Sequence, residues 1–169
     1  MQKTPSTLNL PAVITIGALV AIAVALVSQY GFDLQPCAWC VLQRLLFCVI
    51  AIISALGWSR RMRPYRFAVG GLVLIVAVLG VAAAAWQHFV AARSNSCDLT
   101  LAYKIVGMDL HLDQLAPSVF EARATCAQAA VSLLGVPYDF WSLGLFAVIG
   151  WVAIQYMRQG LIDPRAAAG

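Results

Sequence analysis

Cysteine is the residue type in this sequence best placed to do chemistry, and four of its five cysteines sit where they can react. Pro36-Cys37-Ala38-Trp39-Cys40 contains a C-x-x-C, a spacing that brings two sulfurs within bonding reach and favours a reactive thiolate. Cys40 falls at the predicted start of a helix, where unpaired amides and the helix dipole stabilise an anion. Arg44 follows one turn later on the same face. An arginine inside a membrane span costs about 2.5–3.5 kcal/mol at the bilayer centre and less near the interface. It therefore needs a polar partner: a thiolate, the oxygen of a bound head group or a lipid phosphate. Cys97 and Cys126 form a second, wider pair about thirty residues apart. As a static staple that pair would stabilise the fold by roughly 3–4 kcal/mol, and spacing alone leaves this reading as open as a redox one. A tight pair beside a wide, accessible one is the arrangement through which thiol–disulfide exchange passes electrons, provided the loop between them moves. Cys48 lies among Leu45, Leu46, Phe47 and Val49 and reads as a buried, inert thiol. A structural zinc site wants four ligands, and without a second C-x-x-C no metal is expected. His88 and His111 have no identifiable partners in the sequence and read as interface and surface residues.

These cysteines must be positioned by a membrane scaffold. The chain is 62% hydrophobic and 11% charged over 169 residues, whereas a soluble domain carries about a quarter charged residues. A spanning helix needs about 20 mainly apolar residues. Four segments qualify, at about 12–30, 40–58, 67–89 and 140–157. Pro11 suits the first turn of the first segment, and Trp141, Trp151 and Tyr156 suit interface anchors on the last. The expected fold is all-α, a single integral membrane domain built as a four-transmembrane-helix bundle. The first segment also has features of a cleaved signal peptide, with Lys3 and Ala23-Val24-Ala25. Its apolar run is long and continues past that site, which favours a retained anchor.

Orientation follows from charge. The connection 59–66 holds four arginines in eight residues, which marks it as cytoplasmic. Both termini, with the tail at 158–169, are then cytoplasmic, and two loops at about 31–39 and 90–139 are periplasmic. Those loops hold Asp33, Asp98, Asp109, Asp113, Glu121 and Asp139 against Arg93, Lys104 and Arg123. Both cysteine pairs fall on the side where disulfides persist. Within the second loop, Cys126–Leu134 is Ala- and Leu-rich and is expected as a short helix on the membrane surface. Nothing in the chain resembles an aromatic-interleaved basic stripe, so nucleic acid is not an expected partner.

The ordered set resembles the bacterial DsbB family. It comprises four helices, Pro36-Cys37-x-x-Cys40 with Gln43-Arg44, and Cys97 and Cys126 with Pro117 and Phe120 between them. Leu134-Gly135 and Trp141-Ser142-Leu143-x-x-Phe146 complete it. The resemblance implies an inner-membrane protein-dithiol:quinone oxidoreductase that reoxidises a soluble DsbA-like thiol oxidase, part of the system that keeps the periplasm oxidising. It implies that Cys97 takes the partner in a mixed disulfide and that Cys126 passes electrons to Cys37. Cys40 and Arg44 would face the quinone, either ubiquinone or menaquinone. A reductase like vitamin K epoxide reductase also combines four helices, a C-x-x-C and a quinone, but its C-x-x-C is expected near the last helix. The remaining alternatives are a non-catalytic membrane protein pinned by structural disulfides and a metal-binding membrane protein. The latter lacks the acidic and histidine side chains that a path through the helices would need.

Overall fold

The computed structural model describes residues 9–58, 63–93, 101–133 and 135–162. Lys3, Arg60, Arg61, Cys97, Leu134 and Arg165 lie outside them. Four long helices dominate: α1 (Leu10–Gly31), α2 (Ala38–Leu56), α3 (Arg63–Phe89) and, at the end, α7 (Tyr138–Ile162). Between α3 and α7 the chain makes short turns of helix, α4 (Leu101–Tyr103), α5 (Leu112–Leu115) and α6 (Pro117–Phe120), with a π-helical stretch at Lys104–Asp109. A two-stranded antiparallel hairpin then pairs β1 (Ser132–Leu133) with β2 (Val136–Pro137).

All four long helices are long and apolar enough to cross a membrane. Even α2, with 19 residues, reaches about 28 Å at 1.5 Å per residue, close to the hydrocarbon thickness. The large apolar side chains divide between two surfaces. Val20, Val24 and Val27 of α1, Ile75 and Leu79 of α3, and Val148 and Trp151 of α7 are exposed on the outside, as a lipid-facing surface requires. Ile14, Ala18, Phe47, Ile50, Val73, Ala77, Phe146, Ile149 and Ala153 are buried between the helices. Each helix packs on the next in chain order, and α7 closes the ring against α1.

Lipid offers no hydrophobic drive for helix association, so close approach and internal hydrogen bonds must hold the bundle. Phe47 of α2 and Phe146 of α7 stack face to face, 4.0 Å between centroids and 2° from parallel. Gly80 of α3 lets them do so, because a Cβ there would collide with the Phe146 ring. Thr15 and Ser54 share a 2.8 Å hydrogen bond across α1 and α2.

Three expectations need correction. Helix α3 begins at Arg63, before its apolar run, because Pro64 fits a first turn. Tyr156 is no interface anchor: it is buried, with the Arg66 guanidinium 5.0 Å above its ring. The stretch after Cys126 is not a surface helix. It forms a turn over 126–129 and then the hairpin. So short a segment gains too little to nucleate a helix, and Gly135, at φ +80°, permits the tight reversal.

Candidate redox site at the loop end of the bundle

Pro36 and an extended Cys37 (φ −87°, ψ 171°) stop the backbone just before α2, which makes Cys37 the N-cap. Its sulfur takes the place of the usual capping oxygen, accepting from the Cys40 amide at 3.4 Å. The two sulfurs lie 3.1 Å apart as free thiols. Cys37 is fully buried and Cys40 partly exposed. The hydrogen bond with Cys40, and then burial, push the Cys37 thiol well above its ordinary range. Cys37 therefore keeps its proton, and Cys40 is the sulfur of the pair that faces outward.

Arg44 is buried, and three of its five N–H donors have protein acceptors. Nη1 donates to Gln29 Oε1 at 2.7 Å and to the Val119 carbonyl at 3.0 Å, while Nη2 reaches the Ala25 carbonyl at 3.4 Å. One guanidinium thus ties α1 and α6 to α2. The amide of Gln87 donates from Nε2 to Cys40 Sγ at 3.3 Å and to Asp139 Oδ1 at 2.8 Å, and its Oε1 accepts from Gln43 at 2.8 Å. His88 Nδ1 lies 3.1 Å from Asp139 Oδ2. His88 therefore has a partner after all, one that the sequence hides because it lies 51 residues away on another helix.

The later part of the second loop is docked onto this end. The Arg123 and Ala124 amides both donate to the Pro36 carbonyl, at 3.0 and 3.2 Å. Tyr30 donates its hydroxyl to the Ser118 carbonyl at 2.6 Å. Cys126 is disulfide-bonded and buried in the same apolar cluster as Cys37, Trp39, Ala102 and Val106. Cys97 lies outside the described residues, so the structure brings Cys37, Cys40, Arg44 and Cys126 to one end of the bundle and is silent on the fifth candidate. Cys48 is a free thiol, one turn beyond Arg44. Among the described residues no three His, Cys, Asp or Glu side chains converge as a metal ion would need.

Two cavities meet at Cys40 and Arg44. One, of about 290 Å³, is a cleft under the loop lined by Asp33, Gln35, Pro36, Arg123 and Gln128. The other, of about 690 Å³, is a largely apolar chamber between α1, α2 and α7. Its lining includes Val20, Val24, Phe47, Leu145 and Val148, with Gln87, Tyr138 and Asp139 at the polar end. Val20, Val24 and Val148 also belong to the lipid-facing surface, so the chamber opens towards lipid. Sequence reasoning missed Gln29, Gln87 and Asp139, and named Gln43 only as part of a motif, without a partner. Polar side chains at membrane depth were the available signal, since each must find a partner there.

Comparison with known proteins identifies the family. The family described as Disulfide bond formation protein DsbB matches residues 8–156. Disulfide bond formation protein B of Verminephrobacter eiseniae is 25% identical, covering 99% of this chain and 94% of its own. The protein of the same name from Yersinia enterocolitica is 30% identical, over 88% of this chain and 84% of its own. Disulfide bond formation protein B 1 of Pseudomonas syringae pv. syringae is 32% identical over 77% of each. With a four-helix membrane bundle and a paired-cysteine site at one end, the chain belongs to the DsbB family of disulfide-forming membrane proteins.

Proposed function

We propose that this protein is a dithiol:quinone oxidoreductase of the bacterial inner membrane that reoxidises a periplasmic, DsbA-like thiol oxidase. The observation that carries the reading is the place of Cys40, where a cleft under the loop, bordered by Asp33 and Arg123, meets an apolar chamber open to lipid. A thiol in that position can take electrons from a water-soluble protein and release them to a lipid-soluble acceptor.

A quinone fits the chamber on its chemistry. It is a flat ring with two acceptor oxygens on an apolar tail, and the chamber offers apolar walls with Cys40, Arg44 and Tyr138 at one end. When bound, the quinone, ubiquinone or menaquinone, supplies an acceptor for two electrons and two protons. The chain's own residues then hold the ring oxygen through Arg44, shut water out with the α1 and α7 walls, and present Cys40 Sγ.

On the donor side, the proposed cycle starts with Cys126 joined to Cys97 as a disulfide, and the partner's thiolate attacks Cys97, breaking that bond and releasing Cys126. The partner's second thiol resolves the mixed disulfide and leaves oxidised, having passed on two electrons and two protons. The Cys97–Cys126 dithiol then reduces a Cys37–Cys40 disulfide by the same exchange, favoured by the docking of loop backbone on Pro36. Oxidation of the Cys37–Cys40 dithiol delivers both electrons and both protons to the acceptor and closes the cycle. The positive-inside rule puts the arginine-bearing end in the cytoplasm and the cysteine end in the periplasm. The test is purification in detergent with excess quinone, addition of a reduced DsbA-like protein, and measurement of quinone absorbance. Loss of absorbance in wild type and none in Cys40→Ser is expected. No loss with a competent partner and intact disulfides would overturn the reading.

A further inference from the structure

We propose that Gln87 is a positioning residue for Cys40 and that Asp139 acts through it, so that together they set how readily the Cys37–Cys40 pair is reduced. The inference rests on the redox reading of that pair but not on the identity of its electron acceptor. A glutamine amide can present either its donor or its acceptor end to a neighbour. Here the choice is forced. The amide carries two N–H groups, directed to Cys40 Sγ and Asp139 Oδ1, and its oxygen is taken by Gln43 Nε2. Flipping it would set its oxygen against a carboxylate, which only accepts, and its amino group against the amino group of Gln43. Asp139 is itself buried, and its second oxygen meets His88, about a third exposed, whose ring offers a compensating N–H. The chain from His88 through Asp139 and Gln87 ends on the cysteine that lines both cavities.

A donor held against sulfur stabilises the reduced pair relative to the disulfide, because a disulfide sulfur is a far poorer acceptor than a thiolate. Losing the donor makes the pair harder to reduce. Asp139 is also an anion near Cys40, and that direct effect has the opposite sign, since removing the charge would make reduction easier. The direction of the change on mutating Asp139 therefore separates the two roles.

The experiment uses the full chain in detergent, equilibrated with dithiol buffers of graded potential at fixed pH. Free thiols are trapped with a maleimide, and the Cys37–Cys40 peptide is quantified by mass spectrometry. Gln87→Met, which keeps an unbranched side chain of similar length, is expected to lower the reduction equilibrium constant about tenfold, equivalent to about 30 mV for a two-electron couple. Asp139→Asn, isosteric with the native residue, is expected to shift it in the same direction in the wild type and, in Gln87→Met, to leave only the smaller, opposite effect of the lost charge. An unchanged constant in Gln87→Met overturns the proposal, as does a rise in Asp139→Asn alone or an equal shift in both backgrounds. A protein that shows these shifts yet consumes no quinone would support this inference while refuting the proposed acceptor.

Discussion

Arg44 joins three parts of the chain, and its loss should be felt in each. Arg44→Leu leaves the buried Gln29 Oε1 and the part-buried Val119 carbonyl without this donor, and a buried acceptor left unmade costs about 1–3 kcal/mol. A clear drop in melting temperature in detergent is expected, and on the proposed function a large rise in the quinone KM. Arg44→Lys, which keeps the charge but not the planar fork, should recover part of each. Cys37 is fully buried and its thiol is pushed well above the ordinary range, whereas Cys40 is partly exposed. At about pH 8, alkylation followed by peptide mass spectrometry should therefore modify Cys40 well before Cys37. Cys37, Cys40 and Arg44 stand out in the sequence because a four-residue motif and a charge in an apolar run are local signals. Asp139 and His88 were not legible as a pair, because neither residue looks unusual until α3 and α7 are side by side.

Among the elements, the α3–α7 contact depends on Gly80. Gly80→Ala drives a methyl into the Phe146 ring, whereas an added Cβ at Gly71 of the same helix meets nothing within 4 Å. Overpacking costs about 1–3 kcal/mol, so Gly80→Ala should lower the melting temperature and Gly71→Ala should leave it nearly unchanged. The four long helices could be read from apolar runs alone, since the length of a bilayer crossing dictates them. Their ends could not, because Arg63 and Pro64 continue α3 beyond its hydrophobic stretch. The hairpin at 132–137 was misread for a related reason. Ala127, Ala129 and Ala130 suggest a helix, but so few residues cannot overcome nucleation beside Gly135.

At the scale of the whole molecule, the described parts of the two loops cap one end of the bundle, and Trp58 and Arg66 lie at the other. Gln128 and Trp58 are both exposed, at opposite ends. With cysteine introduced at either position, a membrane-impermeant maleimide applied to intact spheroplasts should modify the first and spare the second, read by peptide mass spectrometry. The reverse pattern would invert the proposed topology. The two cavities that meet at Cys40 share just three other lining residues among those described, Ala25, Arg44 and Tyr138. On the proposed function this makes the protein modular. Grafting the chamber-facing residues of α1 and α7 from a relative would exchange the electron acceptor without disturbing partner choice, and grafting the second loop would do the converse. The limit on such chimeras is the handful of side chains common to both halves, which any graft would have to keep.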